Sequence, residues 1–443
     1  MGVTDTVSIG NCVGQGSTGA GLISQANIGL GLQKHFGETV EVAHYGDIRI
    51  QPLAWQDDLG VPNENVSMAR NNNKRMEEML MEKLLEAHPD KSVYIVTGSS
   101  SFKKKVREEL KNSPLVFGTF NMKEKESEKY LGQVIHSGGL EKSSLATVQE
   151  RIGRIKGATL EIKSIIEEFT MQSLGSLVSA WILWEKALVP CLLSGSGAWL
   201  GDCTKAADLC DEIQLYFWRK VLAVPISTPK IAIQAEMNAM GFKWRIWMRK
   251  CLLLQRIKMK DETALAKKVY LESIKYNWPG LARDVKNICL KIDIPDLNYH
   301  DNTKVNIKKA IRANYFSCLK MEISKGGKLS DITINNDISK FQDYMHFTSL
   351  NNARLAFRIK SQMVDKIPCN FKKKYSKRNN PVNRDEGLYC PHCENGELYT
   401  QKHVLSCLRW IELRKDLNMN SIKDLVTFFK RLLKEKEKLE PEK

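Results

Sequence analysis

The sequence predicts an α+β fold, with short strands and helices alternating to about residue 139 and helices dominating afterwards. Three observations carry that expectation. Residues 48–59, IRIQPLAWQDDL, alternate apolar and polar side chains as a half-buried strand does, and residues 91–97, KSVYIVT, are rich in β-branched types. Beyond Gly139, the residues Leu145, Val148, Ile152, Ile155, Ile162, Ile166 and Phe169 recur at three-and-four spacing, the stripe of a bundle helix. Cysteines and a histidine then gather between residues 390 and 407.

A chain of 443 residues suggests roughly three domains. Its 42% hydrophobic content is that of a folded protein. The first ten residues lack the basic start and apolar core of a signal peptide. The most apolar region, 174–200, is interrupted by Glu185, Lys186 and Pro190 and reads as buried helix and turn, with no membrane span. Eleven cysteines, odd in number and mostly scattered, suit a reducing intracellular compartment, nuclear or cytoplasmic. The net charge of +16 predicts a polyanionic partner, nucleic acid first and an acidic membrane surface second.

In chain order, residues 7–13 read as a short strand and 20–36 as an apolar helix. Between them Gly14-Gln15-Gly16-Ser17-Thr18-Gly19 formally matches the dinucleotide-binding fingerprint, with Glu41 placed to take a ribose. A strand over 47–55 runs into Trp55-Gln56-Asp57-Asp58, which should leave two carboxylates at a hairpin tip. Two like charges side by side there call for a cation, unless the pair is simply a solvated turn. Residues 66–88 form an amphipathic helix with Met68, Met76, Met79, Leu80, Leu84 and Leu85 on its apolar side. A basic helix at 102–111 and a strand at 130–136 complete the mixed segment.

Helical patterns continue over 206–222 and 230–260. The second interleaves Trp244, Arg245, Trp247, Arg249, Lys250 and Arg256, a face that either grips nucleic acid or buries its tryptophans behind a solvated basic edge. Residues 261–365 read as mostly helical, without nameable chemistry. Lys372, Lys373, Lys374, Lys377 and Arg378 make 366–389 a basic linker suited to phosphate contact. Residues 420–439 close the chain as a helix capped by Asn420 or Ser421.

Cys390 and Cys393 share one tight turn, and His403 and Cys407 lie four residues apart on one helix face. Two thiolates plus a His/Cys pair can close a tetrahedral Zn²⁺ site. Four protein ligands leave no open position, so the metal is expected to be structural. A small closed module behind a basic linker reads as a nucleic-acid-binding knuckle over 390–410.

Taken in order, these motifs resemble the C-terminal part of a non-LTR (LINE-like) retrotransposon reverse transcriptase. Gln15-Gly16-Ser17 before an apolar helix resembles the Pro-Gln-Gly motif of the template and nucleotide pocket. Trp55-Gln56-Asp57-Asp58 resembles the aromatic-x-Asp-Asp catalytic turn, Lys91-Ser92 the lysine-bearing palm strand, and Lys129-Tyr130-Leu131-Gly132 the primer grip. The resemblance implies a partial polymerase palm over 1–139, a helical thumb over 140–260 and a helical connection over 261–365. The linker, knuckle and C-terminal segment (411–443) follow. It also accounts for the Gln15 glycines as a pocket wall in place of a dinucleotide site.

The resemblance further implies Mg²⁺ or Mn²⁺ at Asp57, with Asp58 auxiliary, and nucleotidyl transfer to a primer 3′-hydroxyl through two metal ions. Gln15, Gly16 and Ser17 would contact template and incoming dNTP, Lys91 the leaving pyrophosphate, and Tyr130, Leu131 and Gly132 the primer end. RNA template and DNA primer are the expected partners. Gly14, Trp55 and Gln56 depart from the family's usual Pro, Tyr/Phe and Ala. The family's further aspartate, on a strand well ahead of Gln-Gly-Ser, has no counterpart among the thirteen residues before Gly14. The expectation is therefore a chain inactive or nearly so on its own. With 36 residues after Cys407, no nuclease core is expected either. The alternative is a non-catalytic RNA- or DNA-binding protein that uses the basic helices and the zinc module.

Overall fold

The computed structural model describes residues 20–55, 58–171, 177–292, 304–325, 342–347, 349–361, 364, 390 and 401–439. The chain mixes helix and strand and is mostly helical, with small two-stranded sheets. It divides into two compact units. The first comprises 1–150, 195–206 and 247–301; the second comprises 151–194, 207–246 and 302–443. Among the described residues no helix is long and apolar enough to cross a membrane, and none of the described cysteines is in a disulfide.

In the first unit, α1 (Ala20–His35) ends where the sequence suggests. Gln51 donates to the Phe36 carbonyl at 3.0 Å and Arg49 to the carbonyls of Glu38, Gly37 and Val40, satisfying acceptors that a helix end leaves open. Strands β1 (Ala43–Tyr45) and β2 (Ile48–Ile50) pair antiparallel, as do β3 (Leu53–Trp55) and β4 (Asp58–Gly60). The single strand expected over 47–55 is thus two pieces. Pro52 lies between them and has no N–H to give a ladder, so the chain changes partners there.

Helix α2 (Val66–Glu82) starts on Asn65, whose side chain accepts from Met68 N at 2.8 Å. It stops six residues short of the expected end. Leu84 adopts φ +53°, and Leu85 N bonds Leu80 O at 2.8 Å, a Schellman stop with leucine where glycine is usual. Helices α1 and α2 pack closely: a side chain at Gly31 would put its Cβ 2.9 Å from Met79 Cγ. Phe36, Val42, Met76, Met79 and Leu80 form the core here, with Leu59 of β4 packed against it.

A second cluster, Val66, Leu110 and Leu115, joins α2 to α3 (Ser100–Asn112) and to Tyr94 of β5 (Val93–Tyr94). Hairpin β6 (Val116–Phe117)–β7 (Phe120–Asn121) follows, and β8 (Lys123–Glu124) runs parallel to β5. Where one strand was expected at 130–136 there is a hairpin, β9 (Ser127–Tyr130) and β10 (Gln133–His136). Leu131 and Gly132 turn it with φ +48° and +73°, both left-handed as a two-residue type I′ turn requires.

Helix α4 (Leu140–Met171) runs unbroken through Gly153 and Gly157, and the apolar stripe holds: Val148, Ile155, Ile162 and Ile166 are buried. In the second unit, α5 (Leu177–Leu183) and α6 (Val189–Leu193) are joined by a π turn, Trp184–Leu188. Pro190 cannot donate an α-type bond, and the chain stays helical by widening, with Val189 N reaching Trp184 O. Trp184 stacks on Phe217 of α7 (Thr204–Leu222) at 4.7 Å, in a core with Trp218 and Phe242.

The helix expected over 230–260 is two, α8 (Lys230–Glu236) and α9 (Phe242–Lys258). The break is held from a distance: Asp211 accepts from Phe242 N at 2.8 Å and pairs with Lys230 at 2.6 Å. Helices α10 (Leu265–Lys275) and α11 (Leu281–Lys291) belong to the first unit. Helices α12 (Lys304–Lys325) and α13 (Leu350–Lys360) belong to the second, where α13 packs against the last helix, Ile422–Leu439. Ser421 caps that helix, accepting from Asp424 N at 3.5 Å.

Candidate functional site

The tip between β3 and β4 is where the sequence places its carboxylate pair. The register Trp55↔Asp58 leaves two residues to make the turn, so the expected hairpin forms. Asp58 is exposed, while Leu59, one step on, faces the α1–α2 core. Strand alternation thus sends the carboxylate to solvent on a strand anchored by its neighbour. A carboxylate so placed is what Mg²⁺ takes when it binds through one or two carboxylates plus substrate phosphates. Asp57 lies outside the described residues, as do Gln15, Gly16 and Ser17.

The second hairpin comes to the first. Tyr130 donates from its hydroxyl to the Leu53 carbonyl at 3.3 Å, and its ring covers Gly60, where any Cβ would meet Tyr130 Cζ at 3.4 Å. Burial raises the Tyr130 pKa, and the nearby negative charge of Asp58 raises it further. Leu131 sits at the tip of this hairpin, 47% exposed. Exposed leucine in a left-handed conformation is doubly unfavourable, and such strain gathers at functional sites. The structure therefore brings Tyr130 to the hairpin that carries Asp58, with Leu131 and Gly132 following Tyr130 in the turn of its own hairpin. Lys91 is exposed ahead of β5, and no ion pair joins it to Asp58 among the described residues. Gly60, which sequence reasoning passed over, lies under the Tyr130 ring, at a distance where a Cβ would make ordinary van der Waals contact.

In the second unit Cys390, His403 and Cys407 converge, with ligand atoms all within 4.8 Å of one another. All three are buried. His403 comes from the short helix Gln401–Ser406, and Cys407 N bonds His403 O at 2.8 Å, which puts both side chains on one side of the helix end. Arg414 closes that end by donating to the Cys407 carbonyl at 3.0 Å and to the Val404 carbonyl at 3.4 Å.

The two thiols stand 3.8 Å apart. A disulfide would need about 2.05 Å. Two thiolates on a tetrahedral ion, each about 2.3 Å from it, span an edge of about 3.8 Å. The spacing, the burial and the donor set fit a metal ion. Cys393, the fourth ligand expected from sequence, lies outside the described residues.

No family model, curated protein or solved structure matches the chain.

The interleaved stretch in α9 is divided: Trp247, Arg245 and Lys250 are buried, whereas Arg256 is exposed. Arg245 is buried and bidentate to Glu185, at 2.8 and 2.5 Å, and donates to the Met240 carbonyl at 2.7 Å. Lys250 is buried too, bonded to Asp284 at 2.8 Å and to the Gly201 carbonyl at 2.6 Å. These two cations are turned inward and held by internal partners, which leaves Arg256 as the exposed cation of the stretch. The linker cations Lys372, Lys373, Lys374, Lys377 and Arg378 lie outside the described residues.

Proposed function

We propose that the chain is part of a reverse transcriptase of the non-LTR retrotransposon kind, carrying one side of a two-metal nucleotidyl-transfer site. The observation that supports this most is the seat of Tyr130 across β3 and β4, which sets the candidate primer grip beside the candidate catalytic turn although 72 residues separate Tyr130 from Asp58. Asp57 is the proposed ligand of divalent ions and Asp58 its auxiliary. Such ions stabilise the attacking and leaving oxygens of an in-line displacement. Gln15, Gly16 and Ser17 are assigned to template and nucleotide, Lys91 to the pyrophosphate, and Tyr130, Leu131 and Gly132 to the primer terminus. The Cys390, His403 and Cys407 group, with Cys393, is assigned to structural zinc in a nucleic-acid-binding knuckle.

The test is a primer–template duplex carrying a photoreactive thymidine at the primer 3′ end. Crosslinks are expected in peptides spanning 53–60 and 127–136, and Tyr130→Ala should reduce them severalfold. The protein should bind this duplex with the primer 3′ end against those two hairpins. Crosslinks scattered without preference for the 3′ end, on RNA that is nonetheless bound, would overturn the polymerase assignment in favour of a purely binding protein.

A further inference from the structure

Helix α12 lies in the region whose sequence offered no chemistry, yet its two sides differ sharply. Ile307, Ile311, Tyr315, Leu319 and Ile323 are buried, a ridge of strict four-residue spacing. The ridge is held in place: Tyr315 donates to the Ala239 carbonyl at 3.0 Å and packs edge-on against Trp244. Because the buried positions step by four, the positions beside them do too. One such ridge reads Lys304, Lys308, Arg312, Phe316 and Lys320, with its four cations exposed and Phe316 half-buried among them. The helix carries six cations against a single carboxylate, Glu322.

A solvated helix face ordinarily alternates charge at this spacing, because opposite charges at i,i+4 support the helix and like charges oppose it. Opposite charges do pair at helical spacing elsewhere in the second unit, as in Lys163–Glu167 and Lys415–Glu412. On α12 like charges succeed one another, and no ion pair takes Lys304, Lys308, Arg312 or Lys320 among the described residues. Each step along the ridge rises about 6 Å. The result is a row of cations that winds slowly about the helix with an aromatic ring in it, the composition that tracks a nucleic-acid backbone and stacks on a base.

We propose that this ridge of α12 is a docking surface for single-stranded RNA, gripped through its phosphates. The choice of partner rests on the nucleic-acid reading above, but the surface is separate from the hairpin site and from the metal group. A membrane-surface helix would turn its apolar ridge outward, whereas here that ridge is buried in the protein.

The test compares the full chain with the triple variant Lys304→Gln, Lys308→Gln, Arg312→Gln, using a fluorescent 20-nucleotide RNA over a range of salt. Three lost phosphate contacts, at about 0.7 counterions each, should lower the slope of log affinity against log salt by about 2 and weaken binding about fiftyfold at ~0.15 M salt. Replacing Lys304 and Lys308 by Arg should leave both quantities unchanged. A control triple on α3, Lys104→Gln, Lys105→Gln and Lys111→Gln, should cost less than threefold. The three substituted side chains of α12 are exposed, so the circular dichroism and Tm of that variant should match the parent.

An α12 variant that binds RNA like the parent overturns the inference while leaving the hairpin assignment standing. So does a control that loses as much as the α12 triple, which would show a diffuse field. A loss seen only on phosphatidylserine vesicles would do the same. Failed crosslinking at the primer 3′ end, with the α12 effect intact, would instead remove the polymerase reading and keep this one.

Discussion

Truncating Glu185 should cost the second unit a large part of its stability. The carboxylate and the Arg245 guanidinium face each other through two hydrogen bonds, with only 14% and 10% of their side chains exposed. Glu185→Ala would leave Arg245 buried with the Met240 carbonyl and the Phe242 ring beside it but no countercharge of its own, and an uncompensated buried charge costs about 3–5 kcal/mol. For a unit of roughly 200 residues, at about 2–4 °C per kcal/mol, that is a fall in Tm of about 6–20 °C. The assay is thermal and urea unfolding of Glu185→Ala, Arg245→Met and the double variant. Since a buried pair replaced on both sides by apolar groups is often neutral, the double variant should recover at least about 2 kcal/mol relative to the sum of the singles. A fall of under 2 °C for Glu185→Ala, or strictly additive losses, would refute the claim that these two charges depend on each other. RNA affinity of the folded Arg245→Met protein should be unchanged, because the guanidinium faces inward.

Purified protein should carry about one equivalent of zinc, with X-ray absorption placing sulfur near 2.3 Å from the metal. Cys390→Ser with Cys407→Ser should abolish it and weaken RNA binding; unchanged zinc content would remove the metal assignment. Acid should loosen α1 from α2 through Glu82, whose carboxyl is held down to about 2 by hydrogen bonds from Lys34 and His35. A depressed carboxyl stabilises the fold above its unfolded value of 4.5 and loses that contribution as pH falls towards 2. Glu82→Gln should therefore flatten the stability profile between those values, and an unaltered acid limb would contradict the pairing. Leu131→Asn should stabilise the β9–β10 turn by about 1 kcal/mol, because asparagine before glycine suits a type I′ turn and leucine does not. The same change should reduce primer 3′-end crosslinking; an increase there would argue against a role for Leu131 at the primer.

Local signals in the sequence were followed faithfully by the structure. The apolar run after residue 20 is α1, Ser421 caps the last helix, and the strand before the aspartates turns into a hairpin. What escaped was decided by residues distant in sequence or by a residue type unusual for its task. Leucine at position 84 ends α2 where glycine or asparagine would announce a stop, and leucine at 131 takes the first place of the β9–β10 turn, where asparagine ordinarily precedes a glycine such as Gly132. The division of α8 from α9 depends on Asp211, and the fate of Arg245 on Glu185, 60 residues away. The candidate site was legible as separate motifs. That Tyr130 and the β3–β4 hairpin touch was not, because the bonded residues lie 77 positions apart and neither stretch carries a local sign of the other.

The π turn at Trp184–Leu188 bears on how this chain should be aligned with others. A π turn holds one residue more than the α turn it replaces. The flanks Leu177–Leu183 and Val189–Leu193 bury Leu177, Ala180, Leu192 and Leu193, and each flank keeps its own inward side. A relative shorter by one residue within 184–188 would preserve both sides. An alignment through this helix should therefore admit a single-residue gap at its centre, in a class of element where gaps are ordinarily forbidden.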